Sequence, residues 1–355
     1  VRKLGALHKV IFFLNTLFAV LLLLSYILPY VFPKSFPLIS VLSLTLPVFI
    51  AVNVLFMLYW LVQFRRQFLL SLVILLIGYK HVEAMYRFSG VSEDKAQGHV
   101  KLMTYNVRIF NAYDWLPQKD IPERIKKLVE EESPDILCVQ EFYYTQKDAF
   151  NSDYPYQFIK YTTANNRTGQ AVFSKYPIVE RGSLEFPETG NNALYVDVVK
   201  DRDTFRVYNL HLESLHIVPR KEHITVEDPE ALYKRMGNAF ALQHDQVEIF
   251  DRHRKTCRHR MIVAGDFNNT PYSYVYKRIR GDMKDSFVEK GSGFGRSYDF
   301  DYFPMRIDFI LTDRDMKITA HKNYDERLSD HYPVMATIDI AGREQEDKEL
   351  QEHKE

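Results

Sequence analysis

Between Val10 and Pro33 the chain carries no charged residue, and after Lys34 a second uncharged run extends from Ser35 to Phe64. About 20 apolar residues suffice to cross the hydrocarbon core of a bilayer, so each run qualifies as a membrane-spanning helix. A cleavable leader fits the first run poorly. Its apolar stretch is too long, no small-residue cleavage site follows, and a second apolar segment comes next. The third segment, Gln67 to Tyr79, is uncharged but short. Lys80 can snorkel and add a turn, while the bare length also suits a re-entrant or interfacial segment. The expected anchor therefore occupies residues 1–88, with spans near 10–32, 37–62 and 67–82. Arg2, Lys3 and Lys9 precede the first span and Arg65 and Arg66 follow the second. The positive-inside rule puts both clusters in the cytoplasm. A third crossing, which is the expectation, places the rest of the chain outside the cytoplasm; without it the remainder is cytoplasmic.

Charge separates the two parts of the chain. Of 46 basic and 46 acidic residues, eight basic and one acidic fall in 1–90, which leaves 38 against 45, or −7, in 91–355. The back part thus has the composition of an acidic globular domain, long enough for one large core. Residues 89–99 read as a polar linker, and 342–355 as a charged tail with almost no apolar face. Cys138 lies in the apolar run Ile136–Val139 and reads as a core thiol; Cys257 sits among basic residues, so no structural disulfide is expected.

After the linker the rhythm alternates between strands and helices. Val100–Val107, Asp135–Glu141, Ala171–Ser174, Ala193–Val199, Thr204–Leu212, Met261–Asp266, Ile307–Thr312 and Val334–Ile340 read as strands. Ile121–Glu132 and Pro229–His253 read as helices, the first with Pro122 in its first turn. This order predicts two packed sheets with helices outside them. Several strands end in a polar residue: Asn106, Glu141, His211, Asp266 with Asn268, Asp308, and Asp330 with His331. Strand ends gathered at one edge would bring these groups together.

Six segments carry a resemblance: Thr104-Tyr105-Asn106-Val107-Arg108, Gln140-Glu141, Asn209-Leu210-His211-Leu212, Gly265-Asp266-Phe267-Asn268, Arg306-Ile307-Asp308-Phe309 and Ser329-Asp330-His331-Tyr332-Pro333-Val334. In this order they resemble the endonuclease/exonuclease/phosphatase superfamily, the DNase I-like proteins. These include nucleases, inositol polyphosphate 5-phosphatases and neutral sphingomyelinases. The resemblance covers residues 100–341 and implies an α/β fold, a four-layer α/β/β/α sandwich preceded here by a transmembrane helical region.

The resemblance also implies roles. Glu141, Asn106 and Asp330 would hold Mg²⁺, with Mn²⁺ a possible substitute; oxygen donors suit such ions. His331 would be the general base, since imidazole titrates near neutrality, with Asp308 fixing its tautomer. Asp266 and Asn268 would orient the attacking water, and an extended segment would put both on one face. His211 and Asn268 would contact the phosphate. Arg108 reads equally well as a substrate contact or as half of an ion pair, and Tyr105, Arg306 and Ser329 as support for the site. One departure stands out: where the family often has Arg-x-x-Gln in the long helix, this chain has Gln243-His244-Asp245-Gln246. The basic stretch Asp251–Arg260 reads as a solvated helix end or as a contact for a membrane surface or a phosphate-rich ligand.

The expected activity is metal-dependent phosphoester hydrolysis by His-activated water. The expected partners are a lipid bilayer, reached through the N-terminal helices, and a phosphorylated lipid or small molecule. A membrane-tethered nuclease acting on DNA or RNA is the alternative, which the acidic balance disfavours because nucleic-acid binding depends on neutralising backbone charge. A catalytically inactive scaffold on the same fold is a third reading, and the retention of every acid, Asn and His argues against it. The segment from Glu213 to Glu230 reads as a lid or membrane-facing loop.

Overall fold

The computed structural model describes residues 4–88, 99–161, 167–215 and 228–340. The linker apart from His99, the charged tail, and residues 216–227 of the expected lid lie outside the described residues. β1 (His99–Asn106) pairs in parallel with β2 (Ile136–Tyr143) across the helix Ile121–Glu132, and β7 (Asp203–His211) pairs in parallel with β8 (Arg260–Asp266) across the helix Pro229–Arg254. The remaining strands, all antiparallel to their neighbours, are β3 (Tyr156–Tyr161), β4 (Thr168–Ser174), β5 (Ile178–Ser183), β6 (Asn192–Lys200), β9 (Lys284–Asp285), β10 (Asp308–Thr312), β11 (Lys317–Asn323) and β12 (Val334–Asp339). They form two six-stranded sheets, ordered β11-β12-β1-β2-β4-β3 and β5-β6-β7-β8-β10-β9.

Alternation along each strand builds the layers. Leu102, Ile136, Cys138, Val207, Ile262 and Ile310 point into the space between the sheets. Met103, Leu137 and Val139 point outward beneath Ile125 and Val129 of the first crossover helix. Tyr208, Leu210 and Val263 point outward beneath Val247 and Phe250 of the second. Both faces of the central strands are therefore covered, which explains why their sequences are continuous apolar runs. The result is the α/β/β/α sandwich. Both cysteines are free, with Cys138 buried as expected.

The strand set differs from expectation in four members: β3, β5, β9 and β11 had no signal strong enough to be read. β2 also runs on past Glu141 to Tyr143, with a bulge between Val139 and Phe142 where it meets β4.

In the front part, Ala6–Tyr30 and Pro37–Val62 are helical segments long and apolar enough to cross a membrane. The third segment is a bent pair of helices, the form of either a broken span or a re-entrant loop, the two alternatives read in the sequence. Phe68–Ile77 and Tyr79–Met85 are two helices bent by 81° at Gly78. A side chain there has no room, since a Cβ would lie 2.0 Å from the Tyr26 ring. Lys80 therefore starts a new direction and adds no turn to the span. Outward-facing Leu7, Val10, Phe13, Leu14, Leu17 and Val20 are exposed, as a lipid-facing surface requires, and the polar groups face inward. Asn15 donates to Ser71 and accepts from the Trp60 indole, and Ser71 donates to Asn53.

The N-terminal helices are docked on the sandwich. Gly237 of the long helix lets Pro37 and Leu38 approach, Tyr233 donates to the Leu38 carbonyl, and Lys34 pairs with Asp245 at 2.9 Å. Val41 packs with Leu215, Ala239 and Phe240. On the other flank Arg306 reaches the Ala84 carbonyl, and Arg87 forms a two-way backbone bridge with Gly293.

Candidate active site

The parallel pairs end at one edge of the sandwich. Asn106 closes β1 beside Gln140, and His211 closes β7 beside Asp266 of β8. Asp308 opens β10 opposite Asp266. Beneath them the two sheets are joined by amides: Gln140 donates to Asn209 at 2.6 Å and to Thr104, while Asn209 donates to the Val139 and Ala171 carbonyls. All four polar side chains of this stitch (Thr104, Gln140, Gln170 and Asn209) are buried, and Gln170 donates to the Asn209 carbonyl.

Local backbone geometry then aims each functional group. Glu141 sits on the β2 bulge with φ of 50°, a left-handed conformation rare for a residue with a side chain. The bulge turns its carboxylate to Asn106, whose Nδ2 donates to Glu141 Oε1 and to Asp266 Oδ2, each at 3.1 Å. Gly265 has φ of 136°, and a Cβ there would lie 2.0 Å from the Leu210 carbonyl oxygen, so only glycine lets β8 lie this close to β7 just before Asp266. Asn268 corrects the expectation of an extended segment. Its φ is 49° and its N–H donates to Asp266 Oδ1 at 2.7 Å, so the chain curls into an Asx-type turn. Both side chains stay at the site, with Asn268 Nδ2 donating to the Leu212 carbonyl.

His331 is buried. Its Nδ1 lies 3.0 Å from Asp308 Oδ2 and its Nε2 lies 3.7 Å from Asp266 Oδ2. Tyr298 packs edge-on against the imidazole with ring centroids 4.9 Å apart. His211 Nε2 faces Asp266 Oδ2 at 3.7 Å and Glu141 Oε1 at 4.0 Å. Ser329 ties the loop down by donating to the Asn106 carbonyl and accepting from the His331 N–H.

Arg108 begins a left-handed turn, residues 108–111 all having positive φ. Of its two sequence readings, the structure places it in the ion pair: its guanidinium meets Asp330 at 2.8 Å and stacks on Trp115. Asp330 is thus engaged by a cation of the chain itself. Tyr105 is buried in the core, and Arg306 is buried against Asp285. Gln243, in the stretch that departs from the family pattern, accepts from Asn269 at 2.7 Å and donates to the Asn268 and Glu213 carbonyls. It holds the turn after Asp266. The basic stretch resolves into a helix end: Arg254 and Lys255 pair with Asp251, and Arg254 caps the Arg278 and Ile279 carbonyls. Tyr298 and Gln243 carried no readable signal, one lying in an irregular loop and the other looking like any helix glutamine.

Electrostatics follow burial and crowding. Burial, reinforced by Asp330, raises the Glu141 carboxyl. Burial raises Asp266 to about 7, against the pull of His331. Burial lowers His211 to about 3, helped by His331, so its ring is neutral. For His331 burial also opposes charge, but Asp308, Asp266 and Asp330 outweigh it and push it up to about 10.

The donor set fits a divalent cation. Ligand atoms of Asp266, Asp308 and His331 lie within 4.8 Å of one another, and Asp308 Oδ1 is buried with no hydrogen-bond partner among the described residues. Glu141 adds a carboxylate across the cleft. The three carboxylates are hard oxygen donors of the kind Mg²⁺ and Mn²⁺ take, and His331 offers an imidazole nitrogen beside them. Of the three expected metal ligands, Glu141 presents its carboxylate, Asn106 presents its Nδ2 to two carboxylates while its oxygen accepts from the Arg108 N–H, and Asp330 faces Arg108.

The profile of the Endonuclease/Exonuclease/phosphatase family matches residues 103–331, and a family described as a domain of unknown function matches residues 8–85. No curated protein sequence matches the chain. Among solved structures, an endonuclease/exonuclease/phosphatase from Bacteroides vulgatus has a TM-score of 0.54 at 19% identity, covering 68% of this chain and 98% of its own. The human Nocturnin catalytic domain with bound sulfate anion has a TM-score of 0.52 at 16% identity, covering 69% of this chain and 94% of its own. An endonuclease/exonuclease/phosphatase from Beutenbergia cavernae has a TM-score of 0.51 at 17% identity, covering 69% and 72%.

Proposed function

The chain belongs to the endonuclease/exonuclease/phosphatase family, and on that premise we propose that it is a membrane-held, divalent-metal-dependent hydrolase of phosphoesters carried by a lipid or a small molecule. One observation carries the reading: the buried Asp308–His331 pair faces Asp266 where the two sheets end, with Glu141 and His211 opposite. Asp308 accepts from Nδ1–H and so fixes the tautomer that leaves Nε2 as the proton acceptor. Water attacks phosphorus, its proton passes to His331 Nε2, and the phosphorus–oxygen bond to the leaving group breaks. The same proton, or one from solvent, completes the leaving oxygen. Asp266 orients the water. Neutral His211 and Asn268 hydrogen-bond the phosphoryl oxygens without a full charge. Mg²⁺ or Mn²⁺ bound among the carboxylates supplies positive charge to the phosphoryl group and offsets the bias that keeps His331 protonated.

The anchor crosses the bilayer at Ala6–Tyr30 and Pro37–Val62, and the bent third segment returns the chain to the side where the sandwich docks. With Arg65 and Arg66 in the cytoplasm, the catalytic domain lies outside it. The nucleic-acid reading draws on the Arg108–Trp115 stack, which suits a base platform, but 38 basic against 45 acidic residues in 91–355 weighs against a polyanion.

The test is hydrolysis of bis(p-nitrophenyl) phosphate by the full chain in detergent. Mg²⁺ or Mn²⁺ should be required and EDTA should abolish turnover. His331→Ala and Glu141→Ala should each lower kcat by about a hundredfold or more. Undiminished turnover in both variants sinks the proposal.

A further inference from the structure

A narrow slot leads from the site to the anchor. Its walls include Asn268 from the site, Leu44 from the anchor, and Leu215, Tyr298, Met305 and Ile307 from the sandwich. Tyr298 also packs on His331, so slot and site share a wall. Tyr298, Met305 and Ile307 form one apolar cluster, with Phe300 and Phe303 packed against it. Leu44 packs with Val41, Leu215 and Phe240, and it lies two residues before the helix Leu46–Val62. At 1.5 Å per residue those 17 residues reach about 25 Å, most of a hydrocarbon core. Leu44 therefore stands where the chain passes from the sandwich into the bilayer.

We propose that the phosphoester cleaved here belongs to a membrane phospholipid, its phosphate held at Asn268 and His211 and its apolar body running through the slot past Leu44 into the adjacent leaflet. This rests on the phosphoester reading above and narrows it from lipid or small molecule to lipid. Three features select that occupant. The slot sets its apolar side chains beside the polar side chains of Asn268, Asn269, Thr270 and Ser214. Its apolar wall is shared between the sandwich and Leu44 of Pro37–Val62, the segment proposed to cross the membrane, a contribution that a water-soluble substrate does not need. A nucleic-acid strand would press further phosphates against the apolar side chains of Leu44, Leu215 and Met305, a costly burial of charge.

The test uses the full chain in nanodiscs with Mg²⁺. Dioleoyl phosphatidylglycerol, dioleoyl phosphatidylethanolamine and dioleoyl phosphatidic acid are each compared with the deacylated ester of the same head group, and the readout is the ratio of kcat/KM for each pair. At least one diacyl substrate should be preferred by about tenfold or more. Leu44→Arg and Leu44→Trp, the first placing charge in the slot and the second filling it, should each cut that ratio about tenfold. Met305→Ser, on the opposite wall, should lower it in the same direction if an anchor variant fails to insert. Equal use of the diacyl and deacylated partners by the wild type, a ratio unmoved by all three variants, or a preference for plasmid DNA overturns the lipid assignment while leaving phosphoester hydrolysis standing. If bis(p-nitrophenyl) phosphate is also untouched, the parent reading fails with it.

Discussion

In the proposed mechanism Asp308 sets the tautomer of His331, and that dependence can be measured. Asp308→Asn keeps the shape but presents an amide to Nδ1, so the ring no longer holds the tautomer that accepts a proton at Nε2. We expect kcat to fall by about three to four orders of magnitude with little change in KM, read from steady-state kinetics on a soluble phosphodiester. A second buried pair sits nearby: Arg306 meets Asp285 at 2.8 Å, and both are buried. Burial pushes Asp285 up, yet Arg306 and the Tyr276 hydroxyl outweigh it and hold the carboxyl below its ordinary value. A depressed folded-state pKa means stability that is present above the unfolded pKa and lost as pH falls through the folded one. Asp285→Asn should therefore cost about 3–5 kcal/mol near neutrality, and the Tm gap to wild type should narrow only as pH falls below the ordinary aspartate value of about 3.9 in a pH series of thermal melts. At this scale the sequence was legible wherever an acid, amide or imidazole interrupted an apolar run, as at Glu141 and His211. It was silent on aim: nothing in Gln140-Glu141-Phe142 announces a bulge, and nothing in Asp266-Phe267-Asn268 announces a left-handed turn.

Among the elements, the eight strands legible in the sequence are the eight interior strands of the two sheets. The four that were not, β3, β5, β9 and β11, are the four sheet edges. The reason is physical. An interior strand is covered on both faces and needs an apolar residue at nearly every position, whereas an edge strand such as Ile178–Ser183 bears Glu180 and Arg181, which discourage further pairing. The two long helices of the sandwich were legible to within a residue or two, each with Pro in its first turn, and Asp228 accepts from the Glu230 N–H ahead of Pro229; the short helices Tyr274–Arg280 and Ser286–Lys290 were not read. The break at Gly78 was not legible, since its cause is the Tyr26 ring on another helix. Close approach makes its own prediction at Gly265. Gly265→Ala puts a methyl on the Leu210 carbonyl at an unsuitable φ and should cost on the order of 3 kcal/mol, seen as a lowered Tm together with lost turnover as Asp266 shifts.

For the whole molecule, two segments long and apolar enough to cross a membrane, the sandwich and the ordered motifs were legible, but not their docking. Contacts such as Lys34–Asp245 and Arg306 with the Ala84 carbonyl join residues more than two hundred positions apart and have no local signature. Orientation is testable with a single reactive cysteine at exposed Val179 in a Cys257→Ser background, Cys138 being buried. A membrane-impermeant maleimide should label it in intact cells; labelling only after lysis would reverse the topology.

The docking has a kinetic consequence. A domain clamped to its anchor by Tyr233, Lys34, Arg306 and Arg87 cannot swing on a tether. On the proposed membrane attachment and lipid substrate, its catalytic edge would stay at one height above the bilayer and meet substrate only as fast as molecules diffuse past it in the plane. The quantity that sets its rate is then the number of substrate molecules per unit area of membrane. Adding inert lipid at constant total substrate should slow it as surely as withdrawing substrate does.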